Sequence, residues 1–390
     1  MDLSSARERA FEILGGACSP TREPDGFVEL GRHEGEGKGF LEQLQSMTPP
    51  GFPIPDLVFF GLTQLLDLPF YGPEEKMRWG VAFEFRGAIF AFELRKFGLR
   101  FLCEPANLDS RLVTEVLGRA RGLTDVVESY LADELVPNAL ASGQVTVPNL
   151  YSQLDRRYLF LRAKALDAYA QPPPAPESGV SKGGSRWTRF DAGRPEREGG
   201  ALATAAVDAF FSRSEFFFVV ASAMREAPMV DGGLQAILMA GWQDRARLLL
   251  DLRDPATKGL YDELVAIREE WRNPLAHGGL HVGGASLYFH VPGVAALPFR
   301  LRRTPGGVKA RFRLNEESFE SILRVFDRFD DALSVGPLRF AKKWAESGLD
   351  VAFDEKSLSE YRGAMESDAV FGEYIEYMSG MADMHANMDY

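Results

Sequence analysis

The segment "ALATAAVDAFFSRSEFFFVVASAMRE", residues 201–226, reads as a helix of more than twenty residues that is apolar on most of its surface. Such a helix has to be enclosed, by protein or by lipid. Lipid does not fit, because its most apolar run, Phe216 to Met224, is less than half of the roughly 20 residues a bilayer crossing needs. The rest of the chain must therefore supply the enclosing partners, and its downstream sequence reads as three more helices. "GGLQAILMAGWQDRARLLLDL" follows glycines and ends before Asp254-Pro255. "TKGLYDELVAIREEW" carries Leu260, Leu264, Ile267 and Trp271 on one stripe, and "NEESFESILRVFDRFDDAL" has Phe319, Leu323, Phe326 and Phe329 along its apolar edge. Between the last two, residues 280–314 alternate like two or three short strands with glycine turns. A four-helix bundle with a β-hairpin insertion is the simplest assembly over 200–344.

Upstream, "MRWGVAFEFRGAIFAFELRKFGLRFLCE" (77–104) alternates large apolar residues and breaks at Arg86-Gly87 and Lys96-Phe97-Gly98, which predicts a three-stranded antiparallel meander. Helical periodicity follows at about 109–134 and 151–170. Residues 171–199 are rich in Pro, Gly, Ser and charge, so they are expected to be a linker or long exposed loop after an N-terminal α+β domain, 1–170, of unassigned role. The predicted fold class is thus α+β, mainly helical. "GRHEGEGKGF" is not a phosphate loop, since Gly39 stands where Ser or Thr would hold magnesium. A nucleotide-sensing N-terminal half remains a weaker reading.

Most of the net charge of -12 lies after residue 344, where eleven acids face only Lys356 and Arg362, so 345–390 is expected to be an acidic tail. It either solubilises or folds over a basic cleft as a phosphate mimic. The N-terminus "MDLSSARERAFEIL" lacks the apolar core of a signal peptide, and a cytoplasmic protein with no membrane partner is expected. Cys18 and Cys103 are too few for a disulfide framework and have no zinc spacing; neither a metal site nor a cofactor is expected.

The chemistry concentrates in "EEWRNPLAHGG", residues 269–279. Five residues along an ideal helix would leave Arg272 and His277 about 140° apart. Pro274 disfavours helical geometry at Asn273 and suits the first position of a new turn, so the helix is expected to stop near Arg272 and carry His277 back to the same side. Arginine presents a charged fork matched to phosphate oxygens and histidine titrates near neutrality, so the pair can hold a phosphodiester and move its protons. RNA brings its own nucleophile, the 2'-hydroxyl. The bland alternative is that Arg272 pairs with Glu269 or Asp262 on a solvated face and His277 merely ends a helix.

"IREEWRNPLAHGG", preceded by the aromatic-rich "VDAFFSRSEFFFVVASAM" helix, resembles the HEPN family (higher eukaryotes and prokaryotes nucleotide-binding), whose catalytic members carry an Arg, four to six residues, then His, often with Asn after the Arg. The likeness covers about 200–340. It implies a helical bundle that forms a homodimer and cuts RNA without metal, leaving a 2',3'-cyclic phosphate, in a toxin or antiphage defence role with a possible regulatory protein or antitoxin. On this resemblance Arg272 stabilises the phosphate, Asn273 orients the phosphate or the histidine, His277 is general base or acid, and Glu215 supports the site. Inactive HEPN members that serve as dimerisation or RNA-binding scaffolds are the alternative. The densest basic patch, Arg300, Arg302, Arg303, Lys309, Arg311 and Arg313, is either an RNA contact surface or a solvated hairpin; Arg268 is grouped with it as an RNA-contacting cation.

Overall fold

A computed structural model describes residues 1–15, 18–20, 28–29, 54–74, 76–96, 98–103, 109–189, 191, 193–225, 233–272, 286–293, 295–304, 307–311 and 315–387. The architecture is α+β and mainly helical. It divides into two compact units, Met1–Leu140 with Ala382–Tyr390, and Ala141–Met381. The division falls upstream of 171–199, where the change in composition had placed it.

In the first unit, strands β1 (Cys18–Pro20), β2 (Val28–Glu29), β3 (Met77–Phe85), β4 (Ala88–Arg95) and β5 (Gly98–Cys103) form one antiparallel sheet in the order β1-β3-β4-β5-β2. The expected meander is its centre. Arg86 and Gly87 both take positive φ, 52° and 79°, as a two-residue hairpin turn with right-handed strand twist requires. Alternation then places Val81, Phe83, Phe90, Phe92 and Phe101 on one face, with Phe90 stacked on Phe101 at 5.5 Å. That face is covered by α1 (Leu3–Ile13), α2 (Pro55–Phe60) and α3 (Ser110–Tyr130). Helix α3 buries Val113, Val116, Leu117, Ala120, Leu123 and Val127 at helical spacing, and Asp109 caps it by accepting from the Arg111 N–H at 2.9 Å.

The second unit is built on α4 (Tyr151–Tyr169) and α5 (Arg194–Ala223). Between them lies a hairpin, β7 (Glu177–Val180) and β8 (Arg186–Arg189), within the stretch 171–199 expected to be a linker or long exposed loop. Helix α4 belongs here because its tyrosines are committed to this core: Tyr158 meets Phe210 edge-on at 5.5 Å, and Tyr169 lies 6.3 Å from Phe319. The apolar α5 is enclosed as its composition demands, with Ala203, Ala206, Phe210, Phe211, Phe217 and Phe218 all buried.

The segment read as one helix over 232–252 is two, α6 (Gly233–Met239) and α7 (Trp242–Leu249). Gly241 takes an extended conformation between them, and the buried Trp242 donates its indole N–H to Ser214 Oγ at 2.8 Å. Helix α8 (Pro255–Ile267) starts two residues before the expected segment, with Asp254 accepting from the Thr257 N–H at 2.8 Å, and continues into a wide π-helical turn, Arg268–Arg272. A three-stranded antiparallel sheet, β9 (Ser286–Val291), β10 (Ala295–Thr304) and β11 (Gly307–Arg311), follows with β10 in the middle. Helix α9 (Glu316–Val335) buries Phe319, Ile322, Leu323, Phe326 and Phe329. Phe326 stacks directly on Phe210 at 3.5 Å.

The acidic segment is no simple tail. Helix α10 (Arg339–Ser347), strand β12 (Val351–Ala352, paired with β6, Thr146–Val147), α11 (Glu355–Ala364) and α12 (Asp368–Asn387) fold around the fully buried Trp344, whose ring meets Tyr361 at 4.9 Å. Widely spaced aromatics outweigh the charge count, and the acids find partners at close range. Asp368 pairs with Arg339 at 3.1 Å and with Lys343; Glu346 pairs with Lys342 at 3.0 Å. These two acids are thereby committed to α10 rather than to the basic strands.

Candidate functional site

Helix α5 carries polar clusters on opposite sides, and their exposure separates them. Asp208, Phe211 and Glu215 follow at helical spacing and share one face. The π-helical turn, anchored by the buried Ile267 and Trp271, brings Arg272 onto that face. Its Nη1 donates to Glu215 Oε1 at 2.7 Å, its Nη2 to Glu215 Oε2 at 3.3 Å, and its Nε to Asp208 Oδ1 at 3.2 Å. The guanidinium carbon sits 5.9 Å from the centre of the Phe211 ring. These three bonds leave two of the five guanidinium N–H donors for another acceptor. Arg272 therefore pairs with neither Glu269 nor Asp262. The side chain is 17% exposed, Glu215 28% and Asp208 50%, so the cluster is set into the surface but open on one side.

The electrostatics follow from that half-burial. Burial disfavours the charge on Arg272, but the hydrogen bonds and charges of Glu215 and then Asp208 outweigh it and hold its pKa above the ordinary value. One helical turn earlier, burial and the neighbouring charge of Arg272 push Arg268 below its ordinary value, and its Nε has no partner among the described residues. A third arginine, Arg245, donates to the backbone oxygens of Ile237 at 2.7 Å, Leu238 at 2.7 Å and Glu215 at 3.3 Å. Glu215 thus sits among three guanidinium groups. Sequence reading named Arg272, Glu215 and Arg268 but missed Asp208 and Arg245. Asp208 was discoverable from its place two turns before Glu215, whereas nothing local pointed to Arg245.

Asn273, His277 and Arg313 lie outside the described residues. Arg300, Arg302 and Arg303 lie on β10, and Lys309 and Arg311 on β11, so the basic patch is a pair of adjacent strands as expected. Among the described residues no group of His, Cys, Asp and Glu is arranged to hold a metal ion, and no helix is long and apolar enough to cross a membrane.

The second cluster on α5 is centred on a more deeply buried arginine. Arg213 is 3% exposed and reaches Asp155 on α4 at 2.6 Å and both oxygens of Asp330 on α9 at 2.7 and 2.8 Å, with Tyr158 4.7 Å beneath its guanidinium. Lys342 on α10 donates to the hydroxyl of Tyr151. This network ties α4, α5, α9 and α10 together, and the Arg213 guanidinium is buried although Asp155 and Asp330 keep 28% and 27% of their side-chain surface. It is a fastening of the core, while the Arg272 cluster can receive a partner.

The Arg213 network makes a pH-dependent prediction. Burial pushes the Tyr158 hydroxyl up to about 12, more than Arg162 and Arg213 lower it. The fold therefore holds this proton more tightly than the unfolded chain does. That stabilisation is complete below pH 10.0 and is lost as pH rises towards about 12. Denaturant unfolding followed at stepwise alkaline pH should show stability falling across this window, less steeply in Tyr158→Phe.

Comparison with protein-family models, curated proteins and solved structures finds no match for this chain.

Proposed function

We propose that this chain is a metal-independent endoribonuclease of the HEPN type. The observation that carries the reading is the pairing of Arg272, in the turn after α8 and immediately before Asn273 in the sequence, with Glu215 of α5. Glu215 along one edge of the guanidinium and Asp208 at Nε fix its orientation, so that its two remaining N–H groups are preorganised for a phosphate oxygen. In the reaction the 2'-hydroxyl oxygen attacks the adjacent phosphorus, the bond to the 5'-oxygen breaks, and a 2',3'-cyclic phosphate results. His277 takes the proton from the 2'-hydroxyl; the departing 5'-oxygen needs a proton from a second acid. A second copy of the chain, paired across a two-fold axis, would supply it, which is the reason to propose a homodimer. In the cell this activity fits a toxin or antiphage effector held by a regulatory protein.

A second reading is favoured by the same contacts. Two carboxylates already bracket Arg272, which is how an inactive HEPN scaffold that binds RNA or a protein would lock it. Incubating the purified protein with total RNA in EDTA decides between them: products ending in 2',3'-cyclic phosphate, absent with His277→Ala, support the enzyme, and intact RNA leaves the scaffold.

Glu215 acts on this reading as a positioning residue. Glu215→Ala should lower kcat about tenfold to a hundredfold through a loosened guanidinium, with KM little changed. Glu215→Gln, which keeps an acceptor, should recover much of the loss. Cleavage kinetics on a short RNA check both.

A further inference from the structure

The strand register sorts the basic patch into two chemically different faces. Residues paired across an antiparallel ladder share a face, and the side alternates along each strand. Arg300 pairs with Arg311 and Arg302 with Lys309, which puts these four cationic positions on one face of β10–β11. The β9 register adds Tyr288, opposite Pro298, and His290, opposite Ala296, to that same face; His290 is exposed. The other face collects Leu287, Phe289, Leu297, Phe299, Leu301 and Val308. Arg303, opposite Val308, falls on that apolar side and separates from its neighbours.

Both cationic pairs set like charges directly across the ladder, an arrangement that destabilises a sheet unless something neutralises it. The strands do not do so. Residues 271–315 contain seven Lys or Arg and not one Asp or Glu, in a chain with 56 acids. Arg272 and His277 lie in that same acid-free run. Alternate residues on a strand are spaced about 6.5 Å and opposite ones about 5 Å, so the four positions form a compact block suited to successive backbone phosphates.

We infer that the Arg300, Arg302, Lys309 and Arg311 face of β9–β11 is a platform for single-stranded RNA, the backbone lying on the four cations and a base stacking on Tyr288. The choice of RNA rests on the reading of the chain as a ribonuclease. The choice of a single strand rests on the aromatic beside the cations, because a base can stack there only when unpaired.

The test is fluorescence anisotropy with a labelled oligouridine of about ten nucleotides and a hairpin duplex of similar length, in the full chain carrying His277→Ala so that the probe survives. Arg302→Gln with Lys309→Gln should weaken single-strand binding more than tenfold and reduce the slope of log affinity against log salt by about 1.4, or about 0.7 for each lost phosphate contact. Tyr288→Ala should cost about tenfold. Arg303→Gln, on the opposite face, should bind as the parent does, and circular dichroism should show all variants folded. Equal losses from the two faces, or no loss from either, overturn the platform; equal affinity for the duplex overturns the single-strand assignment. The cleavage reading is scored separately on the chain with His277 intact. Cleavage with face-independent binding leaves the enzyme and removes the platform, while face-dependent binding without cleavage does the reverse.

Discussion

Arg213→Met should destabilise the second unit by about 3–5 kcal/mol, the cost typical of removing one partner of a buried ion pair. Arg213 is 3% exposed and stands between Asp155 and Asp330, on helices that have no other charged link to α5 of comparable burial among the described residues. Removing it leaves the Asp330 carboxylate without its counter-charge. Burial already pushes the pKa of Asp330 above its ordinary value even with Arg213 opposing that shift. Without the guanidinium the carboxyl has to take up a proton or admit water, and either outcome loosens the contact of α9 with α5. Denaturant unfolding should show the loss as a lower midpoint. Adding Asp330→Leu should recover part of it, since replacing both members of a buried pair is far less costly than breaking it. If Arg213→Met and the parent unfold at the same midpoint, the network is not what holds these helices together.

His277→Ala should abolish RNA cleavage, a loss of about 10²–10⁴-fold for removal of a general acid or base, without loss of folding. Arg272→Ala should fall by about 10²–10³-fold, the scale for removing a preorganised donor to developing negative charge. Folding should survive the second change as well, because Glu215 and Asp208 are partly exposed and water can replace the guanidinium. Arg272→Lys should not restore cleavage, for an ammonium with three donors cannot hold Glu215 and Asp208 and still present donors to a phosphate. Cleavage of total RNA, with thermal melting alongside, checks all three; activity retained by folded His277→Ala would end the proposed mechanism.

Much of the architecture was readable locally. Alternation and the Arg86-Gly87 and Gly98 breaks marked the meander, and Asp254-Pro255 marked the break between α7 and α8. The failures share one cause. The split at Gly241 depends on Trp242 reaching Ser214 on another helix, and the assignment of α4 to the second unit depends on Tyr158 meeting Phe210. The folded acidic segment depends on Trp344 being enclosed by Tyr361 and Phe371. In each case the deciding contact crosses between elements, where periodicity and capping rules do not reach.

The candidate site divides in the same way. Residue types and spacing along the chain were enough to propose Arg272, Asn273 and His277 for phosphate chemistry, and the residues after Arg272, where the helix was expected to stop, lie outside the described ones. The neighbourhood of that arginine offered Glu269 and Asp262 as partners; Glu215 was named only through the family resemblance, and Asp208 was missed. Packing chose the distant pair: the enclosed aromatic face of α5 fixes the helix's rotation, and that rotation turns Asp208 and Glu215 towards α8 and Arg213 away from it.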